Sequence, residues 1–216
     1  MVMFIQAFRF AYEPFIFSQN KEKGNDSKTA YRDAMKYFII FALFIFLGVM
    51  FYLDIVKYFI SPQYFSGLKV VPIIMLAELF FGIFFNLSIW YKITDQTIWG
   101  AWFSIIGLAI TLSINILFVP THGYMACAWA AFVCYGVMMT ISYLIGRAKY
   151  PIDYNIPRII FYVVVAAILF VLSKIIEIPC QTLNLIYRTA LLGIYIVIVC
   201  KRESLRPIDI MRRRLT

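Results

Sequence analysis

Charge is scarce in this chain. Only 14% of its 216 residues are Asp, Glu, Lys or Arg and 63% are hydrophobic, whereas soluble domains average about 25% charged and about 45 to 50% apolar. A soluble globular fold is excluded on that ground. Histidine is nearly missing too: His122 stands alone in the turn Pro120-Thr121-His122-Gly123, and zinc would need partner ligands that the sequence does not offer. The four cysteines, Cys127, Cys134, Cys180 and Cys200, show no CxxC spacing. Cys127 and Cys134 share a helix face but lie about 10 Å apart along its axis, too far for a disulfide, so buried structural thiols are expected. No paired carboxylates at useful spacing, nucleophile with a histidine base, or phosphate-cradling glycine loop is found, so neither an enzyme nor a cofactor is expected. The first 17 residues lack a basic n-region and a small-x-small cleavage site, which argues against a cleavable signal peptide. No internal repeat stands out.

What the chain has is long apolar runs. Six of them, at 34–60, 70–91, 98–119, 124–146, 159–178 and 183–200, each match a hydrocarbon core of about 30 Å when coiled at 1.5 Å per residue. The expected fold class is therefore all-α, a polytopic transmembrane helix bundle of six full spans plus a partial N-terminal membrane helix. Fifteen of the 20 Lys and Arg residues fall on one face of that layout, between residues 21 and 36, at Lys92, between 147 and 158, and beyond 200. Only Lys57, Lys69, Lys174 and Arg188 lie near the other. The positive-inside rule places the first face, and with it the C-terminus, in the cytoplasm. The net charge of +9 is thereby explained by topology and by attraction to anionic membrane lipids rather than by nucleic acid.

Residues 1–17, MVMFIQAFRFAYEPFIF, read as the last three-quarters of a membrane helix whose beginning is missing, and 18–33 as a cytoplasmic loop with turn formers Gly24, Asn25, Asp26 and Ser27. The other connections are short, which sets consecutive helices antiparallel and adjacent. Pro151 and Pro157 suit a helix stop and a helix start. Trp90, Tyr91, Trp99 and Trp102 around the Lys92 loop, with Tyr143, Tyr150 and Tyr154 at the next inner loop, suit an interfacial aromatic belt. Residues 201–216 form a basic tail expected to lie in the cytoplasm.

Polar residues deep in a span carry the functional signal, because a charge at the bilayer centre costs about 2.5 to 3.5 kcal/mol on insertion scales. Glu78 is the strongest case. It lies on a stripe with Val71, Met75, Gly82, Phe85 and Ile89, and Asn86 sits about 80° to the side. Gly82 permits close approach of another helix or of substrate. Two roles stay open for Glu78: a cation or proton site in a cavity, or a packing carboxylic acid that needs only a hydrogen-bond acceptor. Asn86 and Asn115 suit interhelical hydrogen bonds. Arg9 and Glu13 are four apart and can pair on one helix face, while Pro14 predicts a kink or break nearby. That pair suits either a polar cavity or a helix end. Asp54, Lys57, Lys174, Glu177 and Arg188 lie near outer ends, where snorkelling is expected.

FRFAYEPFIF before a basic loop, then AYRDAMKYF opening a span, then SPQYFSGLKVVPIIMLAELFFGIFFNLSIWYKIT, then LSINILFVPTHGYMACAWAAFVCYG, in that order and spacing, resemble the C-terminal half of bacterial polysaccharide flippases. These belong to the multidrug/oligosaccharidyl-lipid/polysaccharide exporter superfamily. The resemblance covers residues 5–150, and the last two spans follow by hydropathy alone. It implies two helical lobes around a central cavity, moving lipid-linked oligosaccharide across the bacterial inner membrane for lipopolysaccharide, O-antigen or capsule synthesis. The chain would then supply the end of the eighth helix and the ninth to fourteenth, with a missing N-terminal lobe and glycan-assembly proteins as partners. Carried over, Arg9 would hold the anionic pyrophosphate headgroup, Glu78 would couple an ion or orient sugar hydroxyls, and Glu13, Asn86 and Asn115 would complete a substrate-binding set without a metal. A small-molecule exporter of the same superfamily and a non-transporting scaffold for glycan enzymes are the alternatives.

Overall fold

Apolar runs of this length leave the backbone no water to bond, so each must satisfy its own N–H and C=O groups by coiling. The computed structural model describes residues 1–21, 25–176 and 181–203, and every long element among them is an α-helix. In chain order these are α1 (Val2–Lys21), α2 (Asn25–Phe51), α3 (Leu53–Val56), α4 (Val71–Leu87), α5 (Ile89–Ile93), α6 (Ile98–His122), α7 (Tyr124–Lys149), α8 (Ile156–Ile175) and α9 (Gln181–Glu203). Two 3-10 segments, Lys57–Phe59 and Pro62–Val70, link α3 to α4. Six helical stretches are long and apolar enough to cross a membrane, and α1 precedes them. The chain is an all-α, multi-pass membrane bundle.

Two groups of helices share the bundle. One is α4, α6 and α7, with α7 packed along both others; the second sets α2 against α8 and α9, and α2 also meets α1 and α4. Helix α2 is the axis, since Met35, Phe38, Ile39, Ala42, Leu43 and Leu47 are all buried in the main core. Helix α6 is the opposite case: only Phe103 and Gly107 are buried in it, and its main contact is α7.

Several sequence expectations change at the ends of the helices. The polar segment 18–33, read as a loop, is helical at its described residues, 18–21 and 25–33, because α1 runs on to Lys21 and α2 starts at Asn25. Pro14 does not end α1, which continues through it. The first apolar run closes as a long helix at Phe51 and continues in short turns. Pro120 lies within the last turn of α6, and the reversal into α7 falls on Gly123 alone, at φ +57°, a left-handed conformation that suits glycine. Pro157 is in the first turn of α8, as expected. Cys134 is buried against the Gly107 carbonyl, but Cys127 and Cys200 are exposed, and Cys180 lies outside the described residues.

The aromatic belt is the clearest correction. Trp90 and Tyr91 are 2% and 8% exposed and pack with Trp99 and Phe103 into a second core between α5, α6 and α7. Only Trp102 of the four stays open, at 55%. Gly146 on α7 makes this packing possible: a Cβ there would sit 2.8 Å from Trp90 Cδ1.

Candidate functional site

Where α1 meets α4 and α5, charged side chains from two helices come together. Arg9 and Glu13, one turn apart on α1, pair at 3.2 Å (Nε to Oε1). Lys92 comes from α5, 79 positions further along the chain, and donates to the same Glu13 oxygen at 2.6 Å. Both cations also lie over the Phe85 ring of α4, Arg9 at 4.2 Å and Lys92 at 4.7 Å from its centroid, close enough for a cation–π attraction that helps offset their removal from water. Two positive charges thus share one carboxylate, and the cluster keeps an excess of one.

Asn86 reaches the same place. It is 4% exposed, its amide nitrogen donates to the Gly82 carbonyl at 3.0 Å, and its Oδ1 has no hydrogen-bond partner among the described residues. Arg9, Glu13, Asn86 and Lys92, with Tyr12 and Phe85, line a single cavity. Its volume is about 10 Å³, room for about one water. Gly82 sets how closely the helices meet here: a Cβ would fall 2.3 Å from Phe38 Cζ and 3.3 Å from Ile5 Cγ1. The glycine serves helix approach.

The other predicted residues lie elsewhere. Glu78 is half-buried on α4, one turn above Gly82, within electrostatic range of the Tyr135 hydroxyl on α7; among the described residues no hydrogen bond or ion pair to it is found. Asn115 is half-buried on α6, takes no part in the Arg9 cavity, and its Oδ1 has no protein partner. The sequence missed Lys92 as a site residue and Phe85 as its platform. A basic residue directly after a span reads as topology, and nothing local points to a carboxylate in another helix.

Two further charge groups close the ends of the bundle. At the basic end, Glu203 is 3% exposed at its side chain, accepts from Lys36 at 2.6 Å and from the Tyr162 hydroxyl at 2.7 Å, and forms an ion pair with Arg158 at 3.2 Å. This fastens α2, three turns in, and the start of α8 to the end of α9. In the adjoining 150–155 connection, burial and then the neighbouring Tyr150 and Tyr143 push the Tyr154 hydroxyl above its ordinary range, so it is a neutral donor. At the opposite end, Arg188 of α9 is 9% exposed and donates to the Phe51 carbonyl at 3.0 Å and to Asp54. Arg188 therefore does not snorkel. It turns inward because the break after α2 leaves a carbonyl and a carboxylate within its reach. Glu177 lies outside the described residues.

Six helices long and apolar enough to span a bilayer, found among the described residues, define an integral membrane protein that crosses the bilayer several times. No family model, curated protein or solved structure matches the chain.

Proposed function

We propose that the chain is one lobe of a transporter that moves lipid-linked oligosaccharide or polysaccharide repeat units across a bacterial inner membrane, with its basic end and C-terminus in the cytoplasm. The observation that carries this reading is the Arg9–Glu13–Lys92 cluster, whose side chains stay 24 to 38% exposed on a helix of the bundle's flank. Charges kept without full burial where the span through α4 and α5 ends suit a substrate path better than a packing role. The excess positive charge favours an anionic pyrophosphate headgroup, and Asn86 Oδ1 beside it accepts from a sugar hydroxyl. Helix α1 leaves Met3, Phe10 and Phe15 exposed, an apolar flank on which a second lobe closes, so that the two lobes rock about the site and open it alternately to each face. Glu78, one turn above Gly82, couples a proton or Na⁺ or orients the sugar.

The test is headgroup binding and flipping by the complete protein in vesicles. Arg9→Gln with Lys92→Gln is expected to weaken binding of a pyrophosphate-linked lipid by about 10- to 100-fold, at about 1.5 to 3 kcal/mol for hydrogen bonds to charged groups. Unchanged affinity removes the headgroup role. Competition by lipophilic cations instead of lipid-linked sugar assigns the chain to drug export, and full activity of the glycan pathway with Arg9, Lys92 and Glu78 all neutralised assigns it to scaffolding.

A further inference from the structure

A second polar cavity lies at the basic end, apart from the Arg9 cluster. Arg32 and Lys36 of α2 and Arg158 of α8 converge on it, with Tyr154 and Asn155 closing one side. Its cations are paired, and Asp33 itself lines the pocket beside them. Glu203 takes the Lys36 ammonium and the Nε of Arg158, and Asp33 sits 3.7 Å from the Nε of Arg32. In both pairs the guanidinium meets its carboxylate through Nε, and both side chains remain more than a third exposed. Three cations face two carboxylates, which leaves the pocket one positive charge in excess. Asn155, at φ 44°, precedes α8 without capping it by its side chain, so the positive end of that helix adds to the same field.

An apolar groove opens directly from this pocket, sharing Tyr154 and Ile159 with it. Buried Met35, Ile39 and Leu87 of α2 and α4 form its floor, and Met139 and Tyr143 of α7 line one side. It measures about 260 Å³, against the 10 to 15 Å³ or so that one water occupies on that scale. A cationic pocket that fits a phosphate, running into an apolar slot at the level where the spans begin, matches the shape of one molecule class.

The geometry points to a binding site for an anionic phospholipid of the leaflet at the basic end, with its phosphate on Arg32 and Arg158 and one acyl chain in the groove between α7 and α8. A soluble phosphate compound would use the pocket and leave the groove empty. A zwitterionic lipid would fill the groove but bring a cation against three others. The site is independent of the transport reading and stands or falls alone.

The complete chain, purified in a neutral detergent, is titrated with phosphatidylglycerol and with phosphatidylcholine, and bound lipid is counted by native mass spectrometry. One phosphatidylglycerol is expected to be retained in preference. Arg32→Gln, which leaves the Glu203 ties intact, is expected to lower its affinity about fivefold, the effect of about one lost membrane-facing charge, and Arg158→Gln at least as much. Lys57→Gln at the opposite end leaves it unchanged. Met139→Phe, which narrows the groove, weakens both lipids alike. Equal retention of the two lipids, displacement of phosphatidylglycerol by millimolar inorganic phosphate, or wild-type affinity in Arg32→Gln overturns the proposal.

Discussion

Replacing Gly82 by alanine puts one methyl group where the coordinates leave none. The new Cβ would lie 2.3 Å from Phe38 Cζ, 2.9 Å from Cε1 and 3.3 Å from Ile5 Cγ1. The far end of a side chain yields easily when it has somewhere to go. Phe38 has not: it is 1% exposed, stacks on Phe4 at 5.5 Å and packs against Phe8 at 4.9 Å. Overpacking of this kind costs about 1 to 3 kcal/mol, while exchanging glycine for alanine inside a helix returns about 1 kcal/mol. Gly48, in the last turn of α2, separates the two effects, since a Cβ there meets nothing within 4 Å. Gly48→Ala should stabilise and Gly82→Ala should not, with a difference of about 1 to 3 kcal/mol between them, or about 3 to 9 °C in midpoint for a chain of this size. Thermal unfolding followed by fluorescence-detected size exclusion in detergent reads that gap directly. Combining Gly82→Ala with Phe38→Leu should cost less than the sum of the two, because the clash and the ring are the same contact. If Gly82→Ala tracks Gly48→Ala, α1 and α2 do not meet α4 at Gly82 and the close packing there is refuted.

Glu13→Gln leaves Arg9 and Lys92 facing each other without their shared carboxylate and is expected to destabilise by about 1 kcal/mol, discounted for partial exposure; pairing it with Lys92→Met should recover most of that loss in the same midpoint assay. Glu203→Gln unties Lys36, Arg158 and Tyr162 together, and a loss of about 2 to 4 kcal/mol is expected from breaking a buried ion pair whose partners are partly open, read as a lowered midpoint. Arg188→Met strands the Phe51 carbonyl and Asp54 and should cost about 1 to 3 kcal/mol, with Lys174→Met as the control that costs nothing measurable. In single-cysteine versions reconstituted in sealed vesicles, Cys127 near the Gly123 turn should react with a membrane-impermeant maleimide from the face opposite the basic end, and Cys134 only after denaturation.

The spans were legible because hydropathy and length are properties of one segment, and each apolar run could be measured against the bilayer by itself. Arg9 and Glu13 were legible for a similar reason: a spacing of four fixes their face whatever surrounds them. Lys92 was not, since its carboxylate comes from the other end of the chain. Glu203 was hidden in what reads as a basic tail, where one of two acids among six bases suggests nothing until α2 and α8 bring two cations to it. Trp90 and Tyr91 misled because an amphipathic ring suits both a headgroup level and a packed interior; the glycine that draws Trp90 inward, Gly146, lies on another helix. The helical continuation through residues 25–33 went unseen because turn-forming residues were weighed without the tertiary contact of Tyr31 with Tyr12 and Ile16 that gives this polar turn a reason to coil.

The placement of α6 bears on how the protein is made. It touches chiefly α7, its immediate successor across the single Gly123 hinge, whereas α7's larger surface is given to α4. During synthesis α4 therefore has its main apolar partner still unmade while α6 emerges beside it, and must wait in lipid until the chain has passed Lys149. The α6–α7 hairpin is the unit that arrives: α7 docks on α4, and α6 is carried to the rim by its own short tether. An order of assembly is written into the chain in this way, with the peripheral helix inserted before the one that will hold it.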